Sequence, residues 1–271
     1  MAVSMADLVT DIAAETAALR SILVGLPDDE TGWDRPTPAA GWSVRDQVSH
    51  LAYFDEVAVQ SATDPETFNI ELKRLVESGG VDTEVIAARF RDMPGEELLA
   101  WFDNARQGLM DSFGPLDPGL RVPWFGPAMS TASSLTARIM ETWAHGQDVV
   151  DALGADREPS PRMRHVAHIG VGARPFSFVA NGRTPPTEPV RVELRAPDGS
   201  TWTWGPPDAD NTVSGTALDF CLLVTQRRHR ADTDVVATGP VADEWLSIAQ
   251  AFAGPAGTGR EPGQFSQGGS A

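Results

Sequence analysis

Glu141 and His145 stand four residues apart in a stretch, residues 138–154, whose side chains are suited to chemistry. On a helix that spacing sets them one turn apart on one face, and Arg138, three before Glu141, and Asp148, three after His145, extend the stripe. The other flank carries Ile139, Met140, Trp143, Val149, Val150 and Leu153, so the helix reads as packed, with Gly154 as its stop. Burying arginine, carboxylate and imidazole together costs free energy unless the groups satisfy one another or a bound ion. Two readings of the stretch follow, a metal or catalytic site and a structural ion-pair cluster.

Elsewhere the chemistry-bearing residues have simpler readings. The single cysteine, Cys221, lies in Asp-Phe-Cys-Leu-Leu-Val; it has no disulfide partner and no basic neighbour to lower its pKa, and reads as a small buried residue. His165 and His168 are three apart, but no neighbouring carboxylate completes a metal set, and surface or helix-cap roles suit them better. His50 lies at the edge of an apolar arc beside Phe54 and Val57, where a lone histidine reads as a satisfied core residue. The chain contains no Walker loop, no Gly-x-Gly-x-x-Gly after a strand, no Gly-x-Ser-x-Gly and no His-Glu-x-x-His.

The chain as a whole bounds the partners. With 271 residues it suits two domains better than one. A net charge of −17 opposes nonspecific attraction to nucleic acid or an anionic membrane surface. No basic segment followed by an apolar core opens the chain, and no apolar run approaches the roughly 20 residues that cross a bilayer, so a cytoplasmic protein without membrane or nucleic-acid partners is expected.

Four long helices must position the chemistry. Ser4 to Asp7 is a start signal for a helix whose apolar residues, Leu8, Ile12, Ala13, Leu19, Ile22 and Leu23, recur at helical spacing. A Pro- and Gly-punctuated loop, residues 33–42, is anchored by Trp33 and Trp42; Ser43 to Asp46 then caps a second long helix containing Val44, Val48, Leu51, Ala52, Phe54 and Val57. Shorter helices are expected over residues 65–78 and 82–91, and a third long one over residues 94–113. The rigid connection that follows presents Trp124 and Phe125 as a lid beside the site, and the Ser/Thr run from Ser130 opens the fourth long helix.

Composition shifts after Gly154. Residues 155–161 read as a linker, residues 163–173 as a helix, and residues 190–194 and 200–204 as a hairpin turning at Pro197-Asp198-Gly199. A helix over residues 217–228, a strand over 234–238 and a last helix over 241–252 complete an α+β region. Domains are therefore expected at residues 1–154 and 155–253, with a Gly-, Pro-, Ser- and Gln-rich flexible tail over residues 254–271.

The run Gly41-Trp-Ser-Val-Arg-Asp-Gln-Val-Ser-His50-Leu-Ala, followed about ninety residues later by Arg138-x-x-Glu141-x-x-x-His145-Gly-x-Asp148, resembles the mycothiol-dependent maleylpyruvate isomerase N-terminal domain family, in the DinB-like four-helix metalloprotein group. The resemblance covers residues 8–154. It implies an α+β protein built of a DinB-like four-helix bundle and a smaller α+β domain, with His50, Glu141 and His145 as metal ligands and Arg138 and Asp148 behind them or against substrate. Three protein ligands leave a position open for water or a thiolate; zinc is the first choice, and imidazole and carboxylate also suit Fe, Ni or Co. The second region resembles the C-terminal domains of actinobacterial members, which nominates Arg228 as a catalytic contact. The alternative for Arg228 is a solvated helix end favouring the helix dipole. Segments over residues 190–259 also resemble proteins linked to modified tRNA bases, a role opposed by the acidic balance.

The function implied is a metal-dependent isomerase or transferase that uses mycothiol, a low-molecular-weight thiol, on a small electrophilic substrate. The alternatives are a noncatalytic metal or small-ligand binding protein and a purely structural polar cluster.

Overall fold

Ser4 and Ser43 open the first two long helices in the same way. Each hydroxyl oxygen accepts from the amide three residues on, that of Asp7 or Asp46, and so satisfies a donor with no intrahelical partner. At Ser43 the exchange is reciprocal, because its amide donates to the Asp46 carboxylate at 2.8 Å. The computed structural model describes residues 4–77 and 79–265, which fall into two compact units divided between Arg157 and Glu158.

The first unit holds α1 (Met5–Leu23), α2 (Val44–Thr63), α3 (Pro65–Glu77), α4 (Thr83–Ala87) with a 3-10 turn at Ala88–Phe90, α5 (Gly95–Phe113), a small antiparallel hairpin β1 (Arg121–Val122) and β2 (Met129–Ser130), and α6 (Thr131–Leu153). Its apolar core has two parts. One joins Leu19 and Leu23 to Val44, Val48 and Leu51, to Leu98 and Phe102, and to Val149. The other joins Met5, Leu8 and Ile12 to Ala58, Leu109, Phe113, Leu135 and Ile139. These groupings make α1 and α6 run one way and α2 and α5 the other.

Between the two apolar parts, at mid-height, lies a polar layer. Asp55, wholly buried, accepts from Arg106 Nε at 2.7 Å and from Arg138 Nε at 2.8 Å. Arg106 also donates to Thr16 Oγ1 and Thr142 Oγ1, each at 3.0 Å, and Arg138 to the Leu51 carbonyl at 3.2 Å. The layer thereby ties all four long helices together.

The loop of residues 24–43 is fixed from both sides. Arg45, buried on α2, donates to Asp28 at 2.8 Å, to Asp34 at 3.0 Å and to the Met93 carbonyl. Trp33 is buried on Gly95, where a Cβ would stand 2.1 Å from the indole nitrogen; only glycine fits under the ring. The β1–β2 hairpin carries the aromatic pair expected of a lid: Trp124 stacks on Phe68 at 6.2 Å, and Phe125 lies 6.0 Å from Phe54. Helix α6 stops where Gly154 takes φ +61°.

The second unit contains α7 (Met163–Gly172), α8 (Arg174–Ala180), β3 (Val190–Arg195), β4 (Thr201–Trp204), β5 (Asn211–Thr216), α9 (Ala217–Val224), β6 (Val236–Thr238) and α10 (Pro240–Ile248). Its sheet order is β4-β3-β5-β6, with β3 and β5 parallel and both outer pairs antiparallel. Alternate residues Val190, Val192 and Leu194 are buried, as the period of a half-covered strand demands. Strand β5 has no counterpart in the sequence expectations, and α9 and α10 end earlier than expected. Gln226, at φ +60°, turns the chain after α9, so Arg228 lies beyond the helix and not on its last turn. The segment after Ile248 is tied down by Gln250, whose amide nitrogen donates to the carbonyls of Phe252, Gly254 and Pro255 and whose oxygen accepts from Gly257. Gly263 donates to Asp232 at 2.9 Å, so fixed contacts reach well into the expected tail; residues 266–271 lie outside the described residues. Among the described residues no helix is long and apolar enough to cross a membrane.

Candidate metal centre

The antiparallel pairing of α2 with α6 sets Asp55 against Arg138 and Gln47 against His145, which brings His50 level with Glu141 and His145. One ligand atom of each of the three lies within 4.8 Å of the other two. Glu141 Oε2 is 3.1 Å from His145 Nε2 and 3.6 Å from His50 Nε2. Ligands about 2.0–2.2 Å from a tetrahedral zinc stand about 3.4 Å from one another, a value these two distances bracket. The histidine side chains are 12% exposed and that of Glu141 20%, so the cluster opens to one side.

Hydrogen bonding decides which imidazole nitrogen is available. The Trp42 carbonyl can only accept, so the Thr37 hydroxyl donates to it, at 2.8 Å. Thr37 Oγ1 then accepts from the Gln47 amide nitrogen at 2.9 Å, which turns Gln47 Oε1 to His145 Nδ1 at 2.5 Å. An amide oxygen also only accepts, so Nδ1 carries the proton and the lone pair of a neutral His145 is on Nε2, facing the Glu141 carboxylate. Two acceptors at 3.1 Å repel unless a cation or a further proton lies between them. The donor set therefore fits a divalent ion.

The electrostatics agree. Burial, the neighbouring charge of His145 and that of Arg138 push the His50 pKa down to about 4 against the pull of Glu141, so His50 is neutral at physiological pH. Burial raises the Glu141 pKa, but the bonds and charges that protonated His145 and His50 offer when no ion lies between them outweigh it and hold the carboxyl well below its usual range. A neutral imidazole and an ionised carboxylate are the forms that bind metal.

Aromatic rings wall the cluster. Trp42 stacks near His145, centroids 5.8 Å apart, and sits 5.3 Å from His50, which in turn meets Phe54 at 4.6 Å. The family model described as mycothiol maleylpyruvate isomerase N-terminal domain matches residues 12–150, just over half of the chain, and spans all three candidate ligands. The chain belongs to this family. Two proteins of Mycobacterium tuberculosis, from the strains CDC 1551 / Oshkosh and ATCC 25618 / H37Rv and both described as uncharacterized, are each 45% identical over 259 residues, covering 94% of this chain and 100% of theirs. Crystal structures of the mycothiol-dependent maleylpyruvate isomerase and of a histidine-to-alanine mutant of it share the fold, at TM-score 0.56 and 16% and 15% identity, covering 87% of this chain and 93% of theirs. A second family model, described as wyosine base formation, matches residues 186–238.

In this member of the isomerase family Arg138 and Asp148 share α6 with Glu141 and His145. Arg138, 4% exposed, spends its guanidinium on Asp55 and the Leu51 carbonyl, and reaches His50 through its charge. Asp148 is wholly buried one turn beyond His145. Arg228 belongs to the second unit, where its guanidinium lies 4.2 Å from the Phe265 ring centroid and donates to the Arg227 carbonyl at 2.8 Å. Cys221 is buried as expected, its thiol toward the Met163 carbonyl at 3.4 Å, and His168 accepts from Trp204 Nε1 at 3.4 Å. Sequence reasoning missed Thr37, Gln47, Asp55 and Arg106. Gln47 stands three residues before His50, one helical turn, which was the available signal.

Proposed function

We propose that the chain is a metal-dependent enzyme that uses mycothiol, or a thiol like it, as cosubstrate in isomerising or adding sulfur to a small electrophile of the maleylpyruvate type. The convergence of His50, Glu141 and His145 on one point supports this reading. A divalent ion held there, zinc first, would supply a Lewis acid that favours the deprotonated form of a thiol. His50 and His145 offer imidazole nitrogens, Glu141 supplies the negative charge that offsets the cation, and Trp42 and Phe54 limit water beside them.

The substrate chemistry closes without a protein nucleophile. Attack by the thiolate sulfur on a conjugated carbon–carbon double bond forms a carbon–sulfur bond and leaves a single bond about which the carbons rotate; elimination re-forms the double bond and returns the thiolate. Stopping after addition and protonation gives a transferase. Arg138 and Asp148 are proposed to support the site from behind, and Arg228 to contribute to turnover from the second unit. The proposed partners are a small-molecule substrate and the thiol, and the −17 charge argues against RNA.

The test is metal content of gently purified protein by elemental analysis, with turnover of maleylpyruvate measured with and without mycothiol. One zinc per chain with thiol-dependent turnover is expected. Stoichiometric metal without turnover would favour a noncatalytic binding protein, and absence of metal would favour a structural polar cluster.

A further inference from the structure

Gln47 is the second feature at this centre, and no ligand set requires it. It is buried, its two polar atoms both have partners, and those partners determine its orientation: Nε2 on Thr37 Oγ1 at 2.9 Å and Oε1 on His145 Nδ1 at 2.5 Å. The orientation is set one step further away, by the Thr37 hydroxyl donating to the Trp42 carbonyl at 2.8 Å, a carbonyl that also accepts from the Thr37 amide at 2.7 Å. Were the amide reversed, Thr37 would have to donate to Gln47, its bond to the Trp42 carbonyl would be lost, and an NH2 group would face His145.

We infer that Gln47 is a positioning residue for the metal centre: with Thr37 it holds the proton of His145 on Nδ1 and so keeps the Nε2 lone pair directed at the position shared with Glu141 and His50. The inference rests on the metal-site reading above. A second consequence concerns the loop of residues 24–43, since the Thr37 hydroxyl and the Trp42 carbonyl that orient Gln47 belong to it. The same loop places the Trp42 ring against His145, so the ligand's tautomer and its aromatic cover are fixed by one segment. Hydrogen bonds of this kind to a ligating imidazole raise its basicity and fix its ring, and their loss typically weakens metal binding about 10–100-fold.

The experiment uses the full chain in four forms, wild type, Gln47→Met, Gln47→Glu and Thr37→Val, with zinc as the probe and a chromophoric chelator as competitor. Gln47→Met keeps the side-chain length and removes the acceptor, and should weaken zinc about 10–100-fold. Gln47→Glu restores an acceptor to Nδ1 and should bind zinc at least as tightly as wild type. Thr37→Val frees the amide to turn and should weaken zinc by a smaller factor. Long-range 15N–1H spectra of the zinc-loaded proteins give an independent readout: a protonated Nδ1 on His145 in wild type and Gln47→Glu, exchange-broadened or absent in Gln47→Met. Zinc affinity of a folded Gln47→Met within threefold of a zinc-binding wild type overturns the inference; if that variant does not fold, an unchanged Thr37→Val does so. A wild type that binds no zinc removes the metal reading itself, which is a separate result.

Discussion

Asp55 on α2 and Arg138 on α6 are joined at 2.8 Å, three residues before Glu141, and the other oxygen of the same carboxylate holds Arg106 of α5 at 2.7 Å. One anion thus offsets two buried guanidiniums beneath the candidate metal centre. The positive balance of this layer lowers the His50 pKa through Arg138, so a structural network also conditions a candidate ligand.

Removing that anion leaves both buried arginines without the carboxylate they share. Asp55→Asn should destabilise the first unit by about 3–5 kcal/mol, the range for breaking a buried pair. Urea unfolding of the metal-free protein measures it, and a loss under about 1 kcal/mol would show that the layer contributes little.

Deleting a ligand should separate metal from fold. His145→Ala on α6 should lower zinc affinity by more than about 100-fold, because two protein ligands remain, while circular dichroism stays near wild type since the helix keeps its buried face and alanine favours helix. Glu141→Gln nearly preserves shape and removes the offsetting charge, so zinc occupancy should fall with less effect on packing. Full zinc occupancy in either variant would take that residue out of the ligand set.

Acid should destabilise the metal-free protein in a defined window. His50 takes its proton near pH 6.5 when unfolded and at about 4 when folded, so between these values the unfolded chain binds more protons and stability falls as pH falls. The depressed Glu141 carboxyl acts with the same sign, its contribution being lost at lower pH still. The His50 contribution is on the order of 3 kcal/mol. Denaturant midpoints at pH 7, 6, 5 and 4.5 should decline for wild type and decline less for His50→Asn; parallel slopes would place the acid sensitivity elsewhere.

The sequence carried the parts of the molecule that depend on local repetition. Long apolar periodicities with Ser caps mark the starts of α1, α2 and α6 within a residue or two, and Glu141 and His145 declare their shared face by spacing alone. What it hid depends on register between helices. Arg106 lies within a helical run with Ala105 and Gln107 and gives no sign of facing Asp55, fifty-one residues away, and Gln47 gains its role only when α6 is laid against α2. In the second unit β5, Asn-Thr-Val-Ser-Gly-Thr, has one large apolar residue to signal a strand, although it lies at the centre of the sheet. The early end of α9 is carried by Gln226 at positive φ, a conformation for which sequence rules look to glycine.

The source of the reacting sulfur distinguishes the proposed chemistry from a protein-thiol mechanism. Cys221 is wholly buried on α9, and its thiol hydrogen points to the Met163 carbonyl at 3.4 Å, so no electrophile reaches it without opening the second unit. Serine preserves a donor of similar size toward that carbonyl and abolishes thiol nucleophilicity. Cys221→Ser should therefore retain turnover within about twofold of wild type, a barrier change of about 0.4 kcal/mol, while omission of mycothiol should abolish turnover in both proteins. Rates of maleylpyruvate consumption with and without the added thiol, measured on both, decide the matter. Turnover lost in a well-folded Cys221→Ser protein, or full turnover by wild type without any added thiol, would assign the sulfur chemistry to the protein or remove it from the reaction.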